Sequence, residues 1–118
     1  MKQAEFTDLE CKQIAGTIYR QLGGGKFGYM VGAKNLGFER TDEGIALAFK
    51  FMRNKSGMTN LRIVYDMGSD LYNMIFYSVR FSMKTFETKI KEKRFNGIFC
   101  DQLSEVFENF TGLRTKLF

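Results

Sequence analysis

The chain contains no histidine. This removes Ser-His-Asp and Cys-His nucleophilic arrangements, and histidine general acid–base chemistry with them. Carboxylate, lysine or tyrosine mechanisms stay formally open, but no constellation of residues recommends one, so no enzyme activity is expected. Cysteine is almost as scarce, with Cys11 and Cys100 alone. Two cysteines without histidine cannot complete a tetrahedral structural zinc site, and neither a metal nor a cofactor is expected. Both cysteines fall in expected helices, where a thiol serves as a small buried apolar group. A disulfide would need those helices side by side, and a cytosolic setting disfavours it. No apolar run approaches the roughly 18–20 residues that span a bilayer. Met1 to Glu5 lacks the apolar segment of a secretory signal. A soluble, cytoplasmic chain without a membrane partner is expected. Internal repeats, low-complexity runs and linkers are also missing, so residues 1–118 are expected to form one domain.

What is present is aromatic. Thirteen phenylalanines and no tryptophan imply a core built on large rings, each worth roughly 1.5–3 kcal/mol when fully buried. Thr7 and Glu10 stand at capping-box spacing, with Phe6 placed to staple onto Cys11. Cys11, Ile14, Ala15, Ile18 and Leu22 then repeat at helical spacing, and Gly23 supplies the stop. A second helix is expected from a cap at Asn96, with Phe95 as its staple. Phe99, Leu103, Val106, Phe107 and Phe110 form its apolar stripe. Asp101, Glu105 and Glu108 form an acidic outer one, and Gly112 ends the helix.

Between these helices the pattern alternates. From Lys26 to Lys34, Phe27, Tyr29, Val31 and Ala33 oppose Gly28, Met30, Gly32 and Lys34, which predicts a strand. Further strands are expected over Leu36–Arg40, Ile45–Arg53, Leu61–Met67 and Leu71–Phe81. Over Thr85–Lys93, Phe86, Thr88 and Ile90 are expected inward, with Glu87, Lys89, Lys91 and Lys93 facing water near an edge. The fold class is α+β: an N-terminal helix, a five- to six-stranded antiparallel sheet and a C-terminal helix, with both helices on one face of the sheet.

Gly23-Gly24-Gly25-Lys26 invites comparison with a phosphate loop. Such a loop runs from a strand into a helix N-terminus, whereas the order here is helix to strand. A helix stop and flexible turn accounts for it better. Gly28, Met30 and Gly32 then mark a thin sheet face, expected either to pack under a helix or to receive a partner. Charge is the second signal. The net charge is +5, and no acidic residue separates Gly44 from Tyr65. Lys34, Lys50 and Arg62 share the thin face by alternation, and Arg53 and Lys55 occupy the adjoining loop. Such residues neutralise phosphates, while Tyr or Phe stack on bases. The alternative is ordinary solvated surface. Arg80, Lys84, Lys89, Lys91, Lys93 and Arg94 add a second basic stretch against Glu87 and Glu92.

The run Gln21-Leu22-Gly23-Gly24, Lys26-Phe27, Met30 and Gly32-Ala33-Lys34-Asn35 resembles the opening of a family of small proteins encoded by bacteriophages, prophages and other mobile elements. Asp101-Gln102-Leu103, Phe107, Thr111-Gly112-Leu113 and Thr115 resemble its close. The chain departs from that family at Gly25 and in its lysine-rich penultimate strand. The resemblance implies a mobile-element setting and no particular chemistry. Two functions are therefore expected to compete. One is a non-enzymatic nucleic-acid-associated accessory protein, binding through Lys34, Lys50, Arg53, Lys55 and Arg62. The other is a protein-interaction module. It would be either a homodimer through the face carrying Gly28, Met30 and Gly32, or an inhibitor of a host protein such as a defence nuclease.

Overall fold

Thr7 starts the first helix as the spacing predicts. Its hydroxyl accepts from the Glu10 amide at 3.2 Å, and the Glu10 carboxylate accepts from the Thr7 amide at 2.9 Å. In the computed structural model, which describes residues 6–115, α1 spans Asp8–Leu22 and buries Cys11, Ala15, Ile18 and Leu22. Five strands follow in a simple antiparallel meander: β1 Lys34–Arg40, β2 Ile45–Lys50, β3 Asn60–Asp66, β4 Leu71–Ser82 and β5 Glu87–Ile98. A single 3-10 turn, Cys100–Gln102, leads into α3 at Leu103–Thr111. The helices lie on one face of the sheet, giving the two-layer α+β architecture expected. No helix among the described residues is long and apolar enough to cross a membrane.

The first departure from the sequence pattern is a helix. Gly24–Val31 forms α2, not a strand, and Gly32 closes it in the left-handed region at φ 65°. Phe27 and Val31, read above as alternating strand residues, also stand four apart, and both are fully buried on one helix face. Alternation and helical repeat coincide over so short a run. Gly28, Met30 and Gly32 therefore do not line the sheet. Gly28 instead lies against the Tyr19 hydroxyl of α1, where an added Cβ would come within 2.1 Å.

The second departure lies at the other end. Asn96 caps no helix. β5 continues through it to Ile98, with an irregularity where Gly97 takes φ 68° and donates its amide to Asn73 Oδ1. Cys100, expected to be buried, is exposed, while Cys11 is buried; both are free thiols. Glu108 leaves the acidic outer stripe to accept from the amide and hydroxyl of Thr115, fixing the chain after α3.

Between the layers lies a ring cluster. Phe27, Phe49, Phe51, Phe76 and Phe107 come from α2, β2, the chain just after β2, β4 and α3, and each is at most 5 % exposed. Phe107 stands edge-on to Phe27 at 5.1 Å and to Phe51 at 5.0 Å between centroids. Phe95 and Phe110 extend the cluster over Phe76 towards β5. Such T-shaped contacts set ring edge against ring face and add to the burial of the rings.

A tight turn joins β3 to β4. Asp70 takes φ 57°, its amide donates to Asp66 O at 2.8 Å, and its carboxylate accepts from the Tyr65 hydroxyl at 2.5 Å. That hydrogen bond, with burial and the carboxylate's charge behind it, pushes the Tyr65 pKa up to about 12. The folded value lies above that of an unfolded tyrosine, near 10. The contribution to stability is therefore complete below about pH 10 and is lost as pH rises towards 12. In an ultraviolet titration of the five tyrosines, Tyr65→Phe is expected to remove the last-ionising transition. An unchanged late transition would disprove the assignment.

Candidate nucleic-acid interface

The two faces of the sheet are chemically unlike, and register defines each. Leu47, Ile63 and Met74 pair across the helix-covered face, as do Phe49, Leu61 and Phe76. The opposite, outer face carries the row Ala48, Arg62, Ile75, Arg94 and the row Lys34, Lys50, Asn60, Tyr77, Glu92. A small buried cluster of Ala46, Val64 and Ile75 lies within it.

The expected binding residues do not form one patch. Lys34 and Lys50 are direct cross-strand partners on the outer face, and both are exposed. Arg62 shares that face, but its guanidinium lies 2.5 Å from Glu39 Oε1 and over the Tyr77 ring at 5.2 Å. The hydrogen bond to Glu39 raises the Arg62 pKa against the opposing effect of burial. Its charge is already matched. Arg53 is exposed in the loop after β2. Lys55 runs its aliphatic stem along Gly112 at the C-terminal end of α3, on the helical side of the molecule. A cation there complements the helix dipole. The turn between β1 and β2 also brings Glu43 to the outer face, where it accepts from Asn73 at 3.1 Å and pairs with Arg94. The outer face is thus a mixed-charge surface with two neighbouring lysines.

A denser cationic surface lies elsewhere. β3 pairs with β4 only as far as Tyr77, while β5 follows β4 to the Ser82–Glu87 pair. Beyond Tyr77 the sheet is reduced to a two-stranded ribbon closed by the turn Met83–Phe86. One face of the ribbon carries Arg80 opposite Lys89, Lys91 opposite Ser78, and Lys93 opposite Phe76, with Glu87 at the outer end. None of these four cations makes a salt bridge with a described residue. Lys93 sits 5.4 Å from the Phe95 ring, so the basic face begins where the aromatic core ends. Lys84 adds a charge in the turn.

The alternation of β5 was legible in the sequence, but the side it faces was not. Ile90 and Phe86, expected inward, are 66 % and 76 % exposed. Ile90 and Thr88 share the outer side with Val79 and Phe81, while the lysines share the side of the helices without being covered by them. Alternation reports two faces; only the end of β3 at Asn60 shows that neither is covered in the ribbon.

Among the described residues, no group of three or more cysteines and carboxylates is placed to hold a metal ion. An open apolar groove between α1 and β1 is lined by Ala15, Gly16, Tyr19, Leu36 and Phe38, with Lys12 at its rim. It lacks the convergent polar groups that orient a small ligand. No protein-family model, no curated protein and no solved structure matches the chain.

Proposed function

We propose that this protein is a non-enzymatic, nucleic-acid-associated accessory protein of the mobile-element type, whose β4–β5 ribbon binds the phosphate backbone. The observation that carries this reading is the set of Arg80, Lys89, Lys91 and Lys93 on one ribbon face, without salt-bridge partners among the described residues. Arg80 and Lys89 are direct cross-strand partners, a like-charge pairing that destabilises a ribbon until an anion lies against it. Cations on edge strands also discourage aggregation, and beyond Tyr77 both β4 and β5 are edges, but that need does not call for Arg80 and Lys89 to stand directly opposite each other. Alternate residues of a strand are about 6.7 Å apart. Lys89, Lys91 and Lys93 are therefore spaced to follow successive phosphates of one strand, which lie farther apart along the winding backbone than their axial repeat of about 3.4 Å. A two-stranded ribbon also fits a major groove about 12 Å wide.

Fluorescence anisotropy with labelled single-stranded and duplex oligonucleotides tests this directly. Four phosphate contacts predict a slope of log K against log salt of about −3 to −4. On duplex DNA that is about a hundredfold loss between roughly 50 and 200 mM salt. Replacing Arg80, Lys89 and Lys91 together by alanine is expected to abolish most of the binding and flatten the slope to about −1. Replacing Arg53, Lys55 and Arg62 together should have a much smaller effect. No binding at low salt, or a ribbon variant that binds as well as the native chain, would sink the proposal.

A further inference from the structure

The same ribbon has a second face. Val79, Phe81 and Ile90 lie on it, and the Phe86 ring packs against Phe81 at 6.3 Å. Met83 stands in the turn beside them, and these five side chains are 53–76 % exposed. They leave on the order of 600 Å² of apolar surface in water, the upper end of what a typical monomer exposes. Tyr77 and Glu92 border the patch at its base, and Thr88 faces outward opposite Phe81.

The turn carries a further sign. Its geometry matches the β3–β4 turn: Phe86 takes φ 56° and donates its amide to Ser82 O at 2.8 Å, as Asp70 does to Asp66. Aspartate enters the left-handed region readily, whereas a bulky aromatic there is an outlier that carries strain. A large ring is held at an exposed tip where glycine or asparagine would fit the backbone better.

We infer that the apolar face of the ribbon is a homodimer interface, with two ribbons stacked face to face and antiparallel. Area is the first argument for a second copy. With Tyr77, Thr88 and Glu92 the face approaches the ~800 Å² per partner buried in a stable interface. Self-complementarity is the second. A two-fold axis at the Val79–Ile90 pair sets Phe81 over the partner's Tyr77 and Thr88 over the partner's Glu92, an aromatic pair and a hydroxyl–carboxylate pair. Charge is the third. Stacking through this face turns both basic faces outward and keeps them apart. Edge-to-edge pairing of two β5 strands would instead line Lys89, Lys91 and Lys93 up against their own copies, which like-charge repulsion opposes. This inference does not rest on nucleic-acid binding.

Light scattering on the full chain tests it at roughly 10–100 µM. The native protein is expected at twice its 13.7 kDa, with little change on adding salt, because the contact is apolar. Phe81→Glu with Ile90→Glu should give a monomer of unchanged circular dichroism. Phe86→Gly removes turn strain, so it should raise thermal stability while weakening dimerisation about tenfold or more. That opposite pair of effects separates an interface from a folding defect. A native chain that is monomeric at 100 µM, whatever else its ribbon binds, overturns the inference. So does a dimer that both variants leave intact, or one that salt dissolves.

Discussion

Phe107→Ala is expected to remove about 3–5 kcal/mol of folding stability. The ring is fully buried and touches Phe27, Phe51 and Phe76 from three other segments. Truncation loses the transfer energy of the ring and three aromatic contacts together. The cavity left behind is walled by rings anchored on different elements, so no single movement fills it. Against a total of about 5–15 kcal/mol for a domain of this size, such a loss moves the melting temperature by on the order of 10–20 °C. Urea unfolding of the native and variant chains measures it. Phe99, 59 % exposed, provides the contrast: its alanine variant should stay within about 0.5 kcal/mol of native. A Phe107 loss below about 1.5 kcal/mol would mean that the rings do not form one packed unit.

Gly44→Ala is expected to cost about 2–3 kcal/mol or more through the backbone. Gly44 has φ 153°, and a Cβ there would lie 2.1 Å from the carbonyl oxygen of Tyr65. That oxygen cannot step aside, because Tyr65 is paired on both sides, with Ile45 of β2 and Tyr72 of β4. The turn is also tied by the reciprocal bonds Thr41 N to Gly44 O and Gly44 N to Thr41 O. Shifting it pulls Glu43 away from Asn73 and Arg94. Gly28→Ala makes the informative comparison. Its close contact, also 2.1 Å, is the far end of the Tyr19 side chain, not backbone. Tyr19 is partly exposed and can swing away, and alanine improves helix propensity by up to about 1 kcal/mol. Its net change should stay within about 1 kcal/mol. Equal losses at the two glycines would refute the distinction between a backbone clash and a side-chain clash.

Much of the fold could be read along the chain because its signals are local. Thr7 and Glu10 mark a helix start wherever they are met, and Gly23 and Gly112 mark the stops. The alternation of β2 and β3 survives because each has one face against helices. Errors arose where a local signal had two solutions. Phe27 and Val31, with Gly28 between them, satisfy a strand period and a helix period equally. Asn96 has the chemistry of a cap, yet it lies in a strand that stays paired with β4. The surroundings of the site residues were less legible for the same reason. A count of cations does not show that Glu39 lies beside Arg62, or that Lys55 folds over α3.

By itself, the sequence determined the α+β class, the terminal helices, an aromatic core and an excess of positive charge. Each of these follows from composition or from spacing within a few residues. The tertiary structure alone decided that Gly28 and Met30 belong to a helix, that Gly32 closes it, and that Gly28 packs against α1. It also decided which cations are matched by carboxylates, and that β4 and β5 outrun β3 to form a ribbon basic on one side and apolar on the other. Those properties depend on what stands across from a residue, and on where a neighbouring strand ends. Both are set by contacts between segments far apart in the chain.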